Sequence, residues 1–157
     1  MDDSTNLLPL RAHHLMCVTT YQGKGYSPEF VANMNRVWHA LRAGAYSHAK
    51  ATSVADPLCM ACPNLQDQAN DTSCRYHVSI SERDRRMLAA MGWQEGEIIE
   101  LGSVMDDIHA RHAALMNEVC VGCDWTAICS ERRFTLREAD PPVPLPLLNE
   151  TPQGSLP

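Results

Sequence analysis

The sequence predicts a small, mainly α, metal-stapled single domain with minor β structure and a disordered, proline-rich C-terminal tail. Three observations carry that expectation. The chain has 157 residues, 45% of them hydrophobic and 20% charged, which is the balance of one globular domain. Four stretches show helical periodicity with start and stop signals, whereas the β-prone pieces are short. Seven cysteines and seven histidines crowd a chain that has only three Trp, four Tyr and two Phe for its core. A core poor in aromatic area gains from a metal staple, because the free energy of binding the metal becomes free energy of folding.

Taken in chain order, the first expected helix runs from about Leu10 to Tyr21 and is closed by Gly23. The clearest spans Ser27 to Ala43: Ser27 is a natural N-cap, Pro28 fits the first turn, and Gly44 follows as a stop. Its apolar residues Phe30, Val31, Met34, Val37, Trp38 and Leu41 recur with the helical period. Ala51–Val54 and Ile98–Leu101 are β-prone and are expected to pair. Between them, a helix beginning at Ser79 or Ser81 ends at Met91 before Gly92, with Ser79/Glu82 and Ser81/Asp84 at capping-box spacing. The last begins near Ser103 and carries Val104, Ile108, His112 and Leu115 on one stripe. From Asp140 onward the chain contains six prolines, so the folded domain is expected over 7–138 and the tail over 139–157.

Charge and compartment narrow the function. A formal charge of −6 argues against a nucleic-acid partner, whose binding face would be basic. The N-terminal Met1–Asn6 segment lacks the basic and apolar regions of a secretion leader, and no apolar run reaches membrane-spanning length. The expectation is therefore a cytoplasmic protein whose thiols stay reduced, free of membrane, with a redox or protein partner of unknown identity. Structural disulfides are not expected.

The cysteines form two trios. Cys59, Cys62, Cys74 and His77 read C-x2-C-x11-C-x2-H, a spacing able to close a tetrahedral zinc site unaided. Pro63 directly after Cys62 is equally at home beside an iron–sulfur ligand. Cys120, Cys123 and Cys129 read C-x2-C-x5-C, with Gly122 free to make a sharp turn and Trp125 and Ile128 as an apolar cover. That trio lacks a fourth ligand nearby. Cys17, one helical turn from His13 and His14, is the remaining cysteine and is expected beside Cys120, Cys123 and Cys129; the rival arrangement sends it to Cys59, Cys62 and Cys74. The glycines of Gln22–Ser27 read as the end of one helix and the start of the next rather than a phosphate loop. Arg83, Arg85 and Arg86, and later Arg132, Arg133 and Arg137, read as solvated faces, and His109 and His112 as surface or core residues.

These motifs together carry a resemblance. Arg11-Ala12-His13-His14-Leu15-Met16-Cys17, then Tyr21 to Val31, then Cys59-x-x-Cys62-Pro63 and Cys120-x-x-Cys123-x-Trp125-x-x-x-Cys129 resemble, in this order, a family of uncharacterised bacterial and archaeal proteins. That family is a domain of unknown function with an R-[GA]-H-H-L-L-C opening, usually described as iron–sulfur binding. Met16 stands where Leu is usual, which alters no chemistry. The resemblance tilts the expected cofactor from zinc toward one or two iron–sulfur clusters of the 4Fe–4S type and supplies no activity. Three readings stay open: cluster binding for electron transfer, a zinc-stapled interaction module, and an enzyme with an open-site cluster and His13 or His14 as acid–base group.

Overall fold

A computed structural model describes residues 6–21, 23 and 25–123; the tail, Trp125, Cys129 and the arginines from Arg132 onward lie outside the described residues. Strand β1 (Leu7–Arg11) runs parallel to β2 (His48–Thr52), pairing Leu8 with Ala49 and Leu10 with Ala51. On its other edge β2 pairs antiparallel with β3 (Ile98–Glu100), Ala49 facing Ile99. The order β1-β2-β3 makes β2 the middle strand, and its Ala49 and Ala51 are fully buried. Small side chains there leave room for the core residues packed around them. Pro9 sits exposed on β1, an edge strand, where its missing N–H costs no ladder bond.

The crossover that a parallel pair requires is made by two helices. Helix α1 (His14–Thr20) buries Leu15, Met16 and Val18. Helix α2 (Pro28–Arg42) starts as its sequence predicts: the Phe30 N–H donates to Ser27 Oγ at 3.1 Å, Pro28 occupies the first turn, and Val31, Met34 and Trp38 are buried. The first element departs from expectation. The stretch predicted as one helix from Leu10 is a strand up to Arg11, a turn, and only then a helix. Tertiary partners decide this, because the Arg11 N–H donates to Asp56 and the His13 N–H to Asp84 instead of entering a helical ladder.

Helix α3 (His77–Met91) begins earlier than the capping boxes suggested and ends at Gly92, whose φ of 74° is the left-handed conformation expected of that stop. Neither serine caps it. Ser79 and Ser81 donate back to the carbonyls of Tyr76 and Val78. The final predicted helix is two: α4 (Leu101–Ala110), capped by the Glu100 carboxylate on the Gly102 and Ser103 amides, and α5 (His112–Val119). Arg111 marks the break and is held by the Ala90 carbonyl and Met91 sulfur. The apolar stripe survives the break, with Ile108 and Leu115 both fully buried. Of the two β-prone pieces expected to pair, Ile98–Leu101 supplies β3, but its partners are His48–Lys50, ahead of the predicted Ala51–Val54, and the sheet gains the unpredicted β1. No helix among the described residues is long and apolar enough to cross a membrane.

Candidate metal centre

The 53–76 connection folds back on itself. Cys62 N–H donates to the Cys59 carbonyl at 2.9 Å, closing the turn between the two cysteines. An isolated antiparallel bridge between Leu65 and Cys74, reinforced by Arg75 N–H on the Asn64 carbonyl at 2.8 Å, then returns Cys74 to Cys62. The eleven-residue spacer is thus a polar hairpin that closes the trio. After α5, Cys123 N–H donates to the Cys120 carbonyl at 3.0 Å, and Gly122 takes the positive φ of 76° that this turn needs.

Both groups open onto one cavity of about 170 Å³. Its wall contains Cys17 from α1, Cys59, Cys62 and Cys74 from the 53–76 connection, and Cys120 and Cys123 from the chain after α5. Cys17 therefore shares one space with members of both trios. His13 and His14 line the same cavity, and so does His112, which reads in the sequence as a surface or core residue. His77, the expected chain-local ligand of the middle trio, heads α3 and is not among the lining residues. Cys129 lies outside the described residues. Among the described residues the six cysteines form no disulfide.

Two buried carboxylates organise the histidines. Asp84 accepts from His13 Nδ1 at 2.6 Å, from His13 N–H at 3.1 Å and from Arg11 Nη1 at 2.6 Å. Asp56 contacts His14 Nδ1 at 2.7 Å and accepts the N–H groups of Arg11, Leu58 and Cys59. Each imidazole is thereby fixed through Nδ1, and its other nitrogen is the one left to offer a ligand or carry a proton. The donor atoms of His14, Asp56 and Cys59 lie within 4.8 Å of one another, a compact mixed set. Sequence reasoning missed both carboxylates as site residues. A signal existed for Asp84, which falls on the apolar face of α3 with Met87 and Leu88, where an acid survives only if paired. Asp56 showed only a turn signal, Asp before Pro57.

The charges of the site follow from this wiring. Burial opposes ionisation of Asp56, but the His14 charge and the donated hydrogen bonds outweigh it and hold the carboxyl down at about 2. For Asp84, burial is likewise outweighed by the hydrogen bond from His13 and the Arg11 charge, so its carboxyl is lowered. Burial, then the His14 charge, lowers His13 to about 4 despite Asp84. At pH 7 His13 is therefore a neutral imidazole donating to a carboxylate rather than half of an ion pair. Burial, then the Asp56 charge, pushes the Cys59 thiol up, and burial does the same to Cys62. Without a metal these sulfurs are protonated and inert.

His13 gives a pH prediction. An unfolded chain protonates it near 6.5, the fold only near 4. Between those values the unfolded state binds the extra proton, so stability falls as pH drops from 6.5 toward 4, by up to about 3 kcal/mol from this group. An NMR titration of the metal-free protein should show His13 still neutral at pH 5.5. Titration at or above pH 6.5 would show instead that Asp84 holds it as an imidazolium.

Fold and cavity together define a small helical domain, built on a three-stranded sheet, whose partly buried thiols line one common cavity. The chain belongs to DUF1284, a family of proteins of unknown function, whose model matches residues 25–129. The match takes in Cys59, Cys62, Cys74, Cys120, Cys123 and Cys129 and begins after the Arg11–Cys17 opening. Comparison with curated proteins and with solved structures returns no match.

Proposed function

We propose that this protein binds an iron–sulfur cluster, of the 4Fe–4S type, through cysteine thiolates in the cavity. The observation that carries the reading is the convergence of six cysteines, from three separate stretches of chain, on one enclosed space. A single zinc is satisfied by four ligands and commonly finds them close together in sequence. Six thiols around a cavity suit a larger, polynuclear guest that accepts sulfur from several directions. The apolar surroundings fit the same guest, because exclusion of water tunes a cluster's potential. A cluster also supplies the positive charge that these raised thiols need to ionise, so loading is accompanied by proton release. A reducing cytosol is the compartment in which such thiols stay available.

Zinc is the second reading, favoured by the mixed nitrogen, oxygen and sulfur set of His14, Asp56 and Cys59. Against it, the Arg11 guanidinium lies against Cys59 and brings a positive charge to the spot where the ion would sit. Anaerobic purification separates the two. The expected protein is brown, contains iron and acid-labile sulfide in comparable amounts, and loses visible absorbance on reduction. Colourless protein with stoichiometric zinc would replace the cluster reading with the zinc-stapled module.

A further inference from the structure

Arg83 is a feature of the cavity wall that a metal alone leaves unexplained. Sequence reading placed it on a solvated face, yet it is only 8% exposed and lines the cavity. Among the described residues it forms no ion pair, and its buried Nε has no hydrogen-bond partner. The neighbouring carboxylate is already committed, since Asp84 gives its oxygens to Arg11 and His13. A guanidinium cannot discard its charge when buried, and desolvating it without an anion is costly. Its planar fork matches a carboxylate in two parallel hydrogen bonds.

The rest of the wall says what accompanies that anion. Tyr26 and Phe30 meet edge to face with centroids 5.6 Å apart and line the cavity beside Met34. A Cβ at position 25 would come within 2.3 Å of the Phe30 ring, so Gly25 is what lets the ring sit there. A cavity of about 170 Å³ is comparable to the engineered apolar cavity of about 150 Å³ that takes up benzene.

We propose that the cavity binds a small organic carboxylate, its anionic end on Arg83 and its apolar body, no larger than about one ring, against Tyr26, Phe30 and Met34. In a cavity of about 170 Å³ this ligand and a full cluster compete for space, so acid binding is read on the metal-free fraction of the protein and falls as bound iron rises. An inorganic anion would satisfy Arg83 but make no use of the apolar surface of Phe30 and Met34.

The test uses full-length, anaerobically purified protein, with iron, sulfide and zinc measured on the same sample so that failure of acid binding is distinguished from failure of the cluster reading. Calorimetry compares acetate, butyrate, hexanoate and benzoate with their neutral amides and with inorganic phosphate. At least one larger acid should bind about tenfold or more tighter than its amide, and tighter than acetate or phosphate. Arg83→Gln should lower that acid's affinity to the level of the amide, and Arg83→Lys should lose only part of it. Should Arg83→Gln fail to fold by circular dichroism, the Lys variant carries the test, because it keeps the charge and removes the fork. Equal binding of acids and amides, or unchanged acid affinity in both variants, overturns the proposal. So does the absence of acid binding together with a lowered reduction potential in Arg83→Gln, which would make the cluster itself the anion that Arg83 serves.

Discussion

Replacing Asp84 with alanine should destabilise the metal-free protein by about 3–5 kcal/mol, the range for breaking a buried ion pair from one side. Asp84 is fully buried, and its partners are as well sheltered: Arg11 is 1% exposed and His13 6%. Without the carboxylate, the Arg11 guanidinium keeps its charge and retains the Ser53 carbonyl at 3.1 Å as an oxygen partner. Because the Arg11 and His13 amides are held by Asp56 and Asp84, the strand-to-helix turn loosens as well. For a domain whose whole stability is of order 5–15 kcal/mol, the loss corresponds to roughly 10–20 °C in melting temperature. Asp84→Asn keeps the shape and one acceptor and should cost less. The double variant Arg11→Met with Asp84→Leu should cost less than the sum of its singles, since it removes the stranded charge. Thermal melts of these variants check the claim, and a shift under about 3 °C for Asp84→Ala would show that Arg11 finds water instead.

That network explains where sequence reading succeeded and where it stopped. Helix α2 was legible because its determinants are local: Ser27, Pro28 and an apolar stripe act within one segment. The β3 run was legible and its partner strand was read a few residues late, at Ala51–Val54 instead of His48–Thr52, while β1 was hidden, since its partner is about forty residues away and its continuation is helix-like. The sequence singled out all six cysteines of the cavity wall, yet spacing put Cys59, Cys62 and Cys74 in one group, Cys120 and Cys123 in another, and left Cys17 apart. Spacing reports which residues can turn toward a common point locally; it is blind to two turns facing each other across a fold. Asp56 and Arg83 were missed for the same reason. A charge looks solvated in sequence until a remote element covers it.

Replacing the six described cysteines by serine, one at a time, should show that metal retention depends on more than one chain segment. One centre in one cavity implies a ligand set drawn from at least two of the three sources: Cys17, the Cys59–Cys74 group, and the Cys120–Cys123 group. A cluster uses four thiolates, so some single substitutions should be silent, while each true ligand removed should lower bound iron by about half or more. Combining damaging substitutions from different segments then decides the architecture. With one shared centre, Cys62→Ser plus Cys120→Ser does no more harm than the worse single, because both act on the same metal. With two separate centres, each single removes about half the iron, the visible spectrum keeps its shape, and the double variant loses the sum. Damage confined to a single segment would return the site to a local zinc-type ligand set. The arrangement of α1, the 53–76 hairpin and the α5 terminus favours the shared centre, since Cys17, the Cys59–Cys74 group and the Cys120–Cys123 group all line one cavity.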